Sequence, residues 1–87
     1  MNKKIIKISS KNCAPCLAYA PTFDKWVYDQ DSLEVLFVDI DNNPAIASKY
    51  RVMSVPTTIV VDEDENVLSI KSWILNKKEL DEMYKQS

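Results

Sequence analysis

Cys13 and Cys16 are the only cysteines in the chain, and the segment SSKNCAPCLAYAP, Ser9 to Pro21, sets them two residues apart. Two thiols at this spacing can exchange with a disulfide, share in a metal site, or pack as small inert residues. Exchange needs one sulfur ionised and the other within reach. If Cys13 opens a helix, the free backbone N–H groups and the positive end of the helix dipole favour its thiolate. Cys16 then lies within the first turn on the same face, where a small disulfide ring opens and closes with little movement. Cys13 would attack a disulfide to give a mixed disulfide, and Cys16 would resolve it. This chemistry requires no cofactor beyond the redox-active disulfide. Pro15 suits the first turn, because its fixed φ matches the helix and its missing N–H would have gone unpaired. Its rigidity helps set the redox potential.

A structural zinc site takes four Cys or His ligands. With two cysteines and no histidine, the chain could offer only a site shared between subunits or completed by carboxylates. The inert alternative fits less well, because a helix start directly after a strand is an edge position and not a core one.

The segments around the pair must supply that setting. KKIIKIS, Lys3 to Ser9, is a β-branched run that reads as a strand leading straight into the cysteines. Beyond them, Leu17, Tyr19, Ala20, Phe23, Trp26 and Val27 recur at helical spacing, with Pro21 inside the pattern as a kink. LEVLFVDID, Leu33 to Asp41, is a second strand whose apolar run from Val35 to Val38 predicts burial on both faces. DNNP gives a turn and Pro44 opens a short helix. PTTIVVDE and ENVLSIKSW form a hairpin about Asp64 to Asn66, and Asn76 caps a last helix in which Leu80, Met83 and Tyr84 share a face. The order is βαβαββα. The first two strands should be parallel through a right-handed crossover and the last two antiparallel, giving an α/β fold with a four-stranded mixed sheet and helices on both faces.

The 87 residues predict a single domain over 1–87, with 46% apolar and 28% charged residues as in globular chains. A net charge of -2 provides no field for nucleic acid or an anionic membrane. Lys3, Lys4, Lys7 and Lys11 at one end, and the acidic run Asp62 to Glu65, read as solvated charges at element ends and a turn. MNKKIIKIS is too short for a signal segment or a membrane span. The expected compartment is the cytoplasm, where a close cysteine pair is catalytic or metal-binding more often than a permanent staple. There is no glycine, so positions needing φ > 0 should fall to Asn or Asp.

Taken together, these residues resemble the thioredoxin family over nearly the whole chain. The family motif is a strand, Trp-Cys-Gly-Pro-Cys, and a helix kinked by a proline five residues after the second cysteine; Cys13, Pro15, Cys16 and Pro21 fall on those positions. SVPTTIVV matches the family's Ile/Val-Pro-Thr segment. The resemblance implies a cis peptide bond before Pro56, packed against the cysteines, and a substrate backbone held by Val55. Asp41, Pro44, Tyr50 and Val52 match the stretch between the two motifs. Full-size thioredoxins begin with one more strand and helix, so the chain resembles a minimal thioredoxin fold.

The resemblance implies a thiol–disulfide oxidoreductase, a monomer that reduces disulfide-containing proteins. Its electrons would come from a thioredoxin reductase or from glutathione. A glutathione-dependent, glutaredoxin-like role is less well matched, since Asn12 stands where glutaredoxins tend to have Tyr, and Leu17 and Ala18 offer no charge after the pair. A third possibility is a thioredoxin-fold binding module. Five positions depart from the family. Asn12 replaces the tryptophan and Ala14 the glycine; the buried Asp that serves the resolving thiol falls on Lys7, and its lysine neighbour on Phe37. Lys7 either snorkels to solvent or, partly buried, favours thiolate by its charge. Trp73 falls where the family has a glycine beside the substrate groove; it either replaces the missing rim aromatic or pins the last helix. Phe23, Trp26 and Tyr84 read as core, and Tyr19 as core or site.

Overall fold

The computed structural model describes residues 2–87. Its elements are β1 (Lys3–Ser9), α1 (Ala14–Tyr28), β2 (Glu34–Asp39), α2 (Ala45–Tyr50), β3 (Thr57–Asp62), β4 (Val67–Ser72) and α3 (Lys77–Lys85), the order expected from the sequence. They build one four-stranded sheet in the order β2-β1-β3-β4. β1 runs parallel to β2, and β3 is antiparallel to both β1 and β4. Among the described residues, no helix is long and apolar enough to cross a membrane.

The sheet separates two apolar layers. On one face Ile5 and Val60 pack with Tyr19, Phe23 and Trp26 of α1 and with Leu80 and Met83 of α3. On the other, Ile6, Ile8, Ile59 and Val61 pack against Val38 and Tyr50, the last residue of α2. Alternation along β1 produces both layers, because successive side chains leave opposite faces of a strand. In α1 the buried Tyr19, Phe23 and Trp26 are spaced four and three apart and share a stripe, while Pro21 is exposed on the opposite side. α3 is anchored at its start by a reciprocal cap: the Asn76 side chain accepts from the Glu79 N–H at 2.8 Å, and the Glu79 carboxylate accepts from the Asn76 N–H at 3.0 Å. Trp26 donates its indole N–H to Asp81 of α3 at 2.8 Å, which ties the two helices of that layer together.

Two expectations are corrected here. β2 is not buried on both faces: it lies at the sheet edge, with Leu36 and Phe37 41% and 56% exposed. An apolar run signals a strand, but which neighbours cover it is decided by topology. The positive-φ positions also fall elsewhere than on Asn or Asp, being Ser32, Arg51, Glu65 and Trp73. At Arg51 the αL conformation closes α2, and the Val52 N–H reaches back to the Ala47 carbonyl at 2.8 Å. At Glu65 it turns the β3–β4 hairpin, where the Asp62 carboxylate accepts the N–H groups of Asp64 and Asn66 at 2.9 and 2.8 Å.

Candidate active site

β1 delivers the chain to the cysteines. Past its end, the Asp41 carboxylate from the loop after β2 accepts the Ser10 hydroxyl at 2.9 Å and the Lys11 N–H at 3.1 Å. These bonds hold the turn before Cys13 and keep the Asp41 carboxyl below the ordinary carboxylate range. Cys13 is the N-cap of α1, in extended backbone conformation, and Pro15 occupies the first turn. Its sulfur accepts the backbone N–H of Cys16 at 3.1 Å, satisfying one of the donors that a helix start leaves free.

Cys13 and Cys16 are joined as a disulfide, with Cα atoms 5.2 Å apart. Neither sulfur stands on an open edge. Cys13 is 8% exposed and Cys16 4%, so the position after a strand is more enclosed than the sequence implied. Part of the cover comes from the segment before β3. The Val55–Pro56 peptide bond is cis, and the Val55 carbonyl oxygen lies 3.8 Å from Cys13 Sγ. The Pro56 carbonyl accepts the Trp73 N–H at 2.8 Å, linking that segment to the end of β4. Thus Cys13, Cys16, Pro15, Val55 and Pro56 come together, with Trp73 attached through its backbone.

Trp73 has φ 84° and is 56% exposed, so its ring lies at the surface and outside the core that packs α3. Asn12 is exposed beside Cys13. Lys7 does not snorkel to solvent: it is only 7% exposed, on the sheet face beneath α1. Its ammonium lies 5.9, 5.0 and 5.4 Å from the ring centroids of Tyr19, Phe23 and Phe37. Burial lowers the Lys7 pKa, more than the charge of Asp24 on α1 raises it. Tyr19 is core: fully buried, it bonds Thr58 through its hydroxyl at 2.8 Å, and burial pushes its phenol up to about 12.

Three participants in this frame escaped the sequence reading. Ser10 forms with Asp41 the clamp ahead of Cys13, and Thr58 is the partner of the buried Tyr19 hydroxyl. Ser9 lies two residues beyond Lys7 on β1, so the alternation of the strand already puts them on one face.

The family model described as Thioredoxin matches residues 1–86. The chain belongs to the thioredoxin family. The thioredoxin of Staphylococcus epidermidis is 38% identical over 65 residues, covering 74% of this chain and 62% of that protein. The Staphylococcus aureus thioredoxin is 39% identical over 56 residues, or 63% of this chain and 54% of the relative. The chain therefore spans less than two thirds of the length of these curated thioredoxins. Among solved structures, Fasciola hepatica thioredoxin superposes with a TM-score of 0.87 at 25% identity, covering 98% of this chain and 80% of that one. Thioredoxin-2 of a malaria parasite gives 0.86 at 25% identity, covering 99% and 84%. Within a thioredoxin frame, this chain places a lysine beneath α1 where the family's buried Asp is expected, and a phenylalanine beside it on β2 in register Lys7↔Phe37.

Proposed function

We propose that the chain is a cytoplasmic, monomeric thiol–disulfide oxidoreductase that reduces disulfides in proteins. The observation that carries this is the Cys16 N–H directed at Cys13 Sγ at the start of α1. That donor, with the helix dipole, stabilises negative charge on Cys13, the slightly more exposed of the two cysteine residues. Cys13 thiolate attacks one sulfur of a substrate disulfide, and the substrate's second sulfur leaves as thiolate. Cys16, deprotonated, then attacks Cys13 Sγ and expels the first substrate sulfur, so the substrate gains two electrons and the pair becomes the disulfide. A thioredoxin reductase returns two electrons to the pair; glutathione is the alternative donor, and membership of the thioredoxin family favours the reductase.

In this reading Val55 and Pro56 receive the extended backbone of the substrate, while Asn12 and Trp73, both exposed, shape which disulfides enter. Lys7 contributes a positive charge beneath the helix that carries the pair and favours thiolate over thiol. An unchanged Cys13 thiol pKa in Lys7→Ala would overturn that role.

The decisive assay follows disulfide reduction with NADPH and thioredoxin reductase against glutathione and its reductase. Turnover with the first donor, and trapping of protein mixed disulfides on Cys16→Ser, is the expected result. Biological activity that survives intact in Cys13→Ser/Cys16→Ser would make the chain a binding module instead.

A further inference from the structure

Lys7 opens onto a cavity of about 320 Å³ between the ends of β1 and β2, lined by Ser9, Ser10, Lys11, Phe37, Val38 and Asp39. The volume is at the lower end of small-molecule sites. Two buried groups point to what fits. The Lys7 ammonium has three donors, but its neighbours are ring faces; among the described residues no carboxylate lies within ion-pair distance of it. The Ser9 hydroxyl, on the same strand face, is buried without a hydrogen-bond partner.

The remaining walls set the rest of the ligand. Phe37 presents an apolar ring on the Lys7 face of the sheet, whereas the Val38 side chain belongs to the opposite layer, and Lys11 adds a second positive charge at the strand end. Asp39 is the opposing charge, but its carboxylate oxygens already accept the Asp41 N–H at 2.9 Å and the Asn42 amide at 3.4 Å. Asp24 on α1 acts on Lys7 only through space. We propose that this cavity binds a small organic monocarboxylate, its oxygens on Lys7 and Ser9 and its apolar part against the Phe37 ring. A carboxylate supplies the acceptors that the ammonium and hydroxyl lack, and a compact apolar group replaces water on the Phe37 ring. Lys7 is shared with the redox reading, but carboxylate binding does not require the dithiol and is tested in the disulfide form.

The test is an amide chemical-shift titration of the oxidised chain with benzoate, and with benzamide as its neutral counterpart. Benzoate should produce saturable shifts at Lys7, Ser9, Lys11 and Phe37, with a Kd on the order of 1 mM for so small a ligand. Benzamide should bind about tenfold or more weakly, the range of a charge-assisted hydrogen bond, and Lys7→Met and Ser9→Ala should both weaken benzoate. Equal affinity for the two probes, shifts that never saturate, or undiminished benzoate binding in Lys7→Met would overturn the site. The benzamide comparison uses the unaltered chain, so it decides the matter even if Lys7→Met does not fold.

Discussion

Arg51 and Trp73 stand at φ of 55° and 84°, a region that glycine enters freely and that costs a residue with a Cβ about 1–2 kcal/mol. Arg51 is exposed and its conformation is needed to close α2, so Arg51→Gly should raise stability by about 1 kcal/mol, read as a higher midpoint in urea unfolding. A second residue-scale prediction concerns Tyr19. Its phenol titrates near 10.0 when unfolded and near 12 when folded, so the folded chain binds the extra proton between those values. The stability this provides is complete below pH 10 and is lost as pH rises through 12. Lys7 acts in the opposite sense: with its folded pKa below 10.5, stability rises with pH from the lowered value up to 10.5. In unfolding measurements across this range, Tyr19→Phe should remove the alkaline decline and leave the rise due to Lys7. The sequence offered the lysine and the tyrosine but not this pairing. Lys7, flanked by Ile6 and Ile8 in KKIIKIS, reads as either snorkelling or partly buried, and only the seating of α1 on the sheet places it under Tyr19 and Phe23.

The strand-to-helix turn before Cys13 depends on a different element, the loop after β2, through the Asp41 carboxylate. Removing that acceptor in Asp41→Ala should speed hydrogen exchange at the Lys11 amide while leaving the amides of β1 protected. The wild-type contact should weaken in the same way as pH falls through the depressed Asp41 pKa, because a protonated carboxyl no longer accepts two donors. Unaltered exchange at Lys11 in the variant would show that the turn holds itself. At this scale most of the fold was legible. β-branched runs, helical spacing and the Asn76 cap mark all seven elements, and crossover handedness fixes the parallel pair. The cysteine pair was legible for the same reason, since CAPC follows a strand and opens a helix. What local pattern could not convey was that β2 would be an edge strand, or that Asp41 would reach across to Ser10 and Lys11, which are about thirty residues away in sequence.

For the molecule as a whole, the sheet divides the apolar side chains into two layers, neither of which is large. Typical stability for 87 residues is roughly 4–13 kcal/mol. Phe23, fully buried between Tyr19 and Trp26 and edge-on to Phe37, carries a large part of one layer. Phe23→Ala should cost about 3–5 kcal/mol and leave the chain close to unfolding, whereas Leu36→Lys on the exposed edge should stay within about 0.5 kcal/mol. Comparable losses in a denaturant titration of the two variants would mean that β2 is covered in solution. The two tryptophans differ as sharply as these two sites. Trp26 is sealed beneath α3 with its indole bonded to Asp81, while Trp73 is half in solvent and bonded through its backbone to the Pro56 carbonyl. The chain thus carries two separable fluorophores. Trp26 should emit blue-shifted light that iodide cannot quench and that reports unfolding. Trp73 should emit at long wavelength, respond to iodide, and report what arrives at the cis-proline segment.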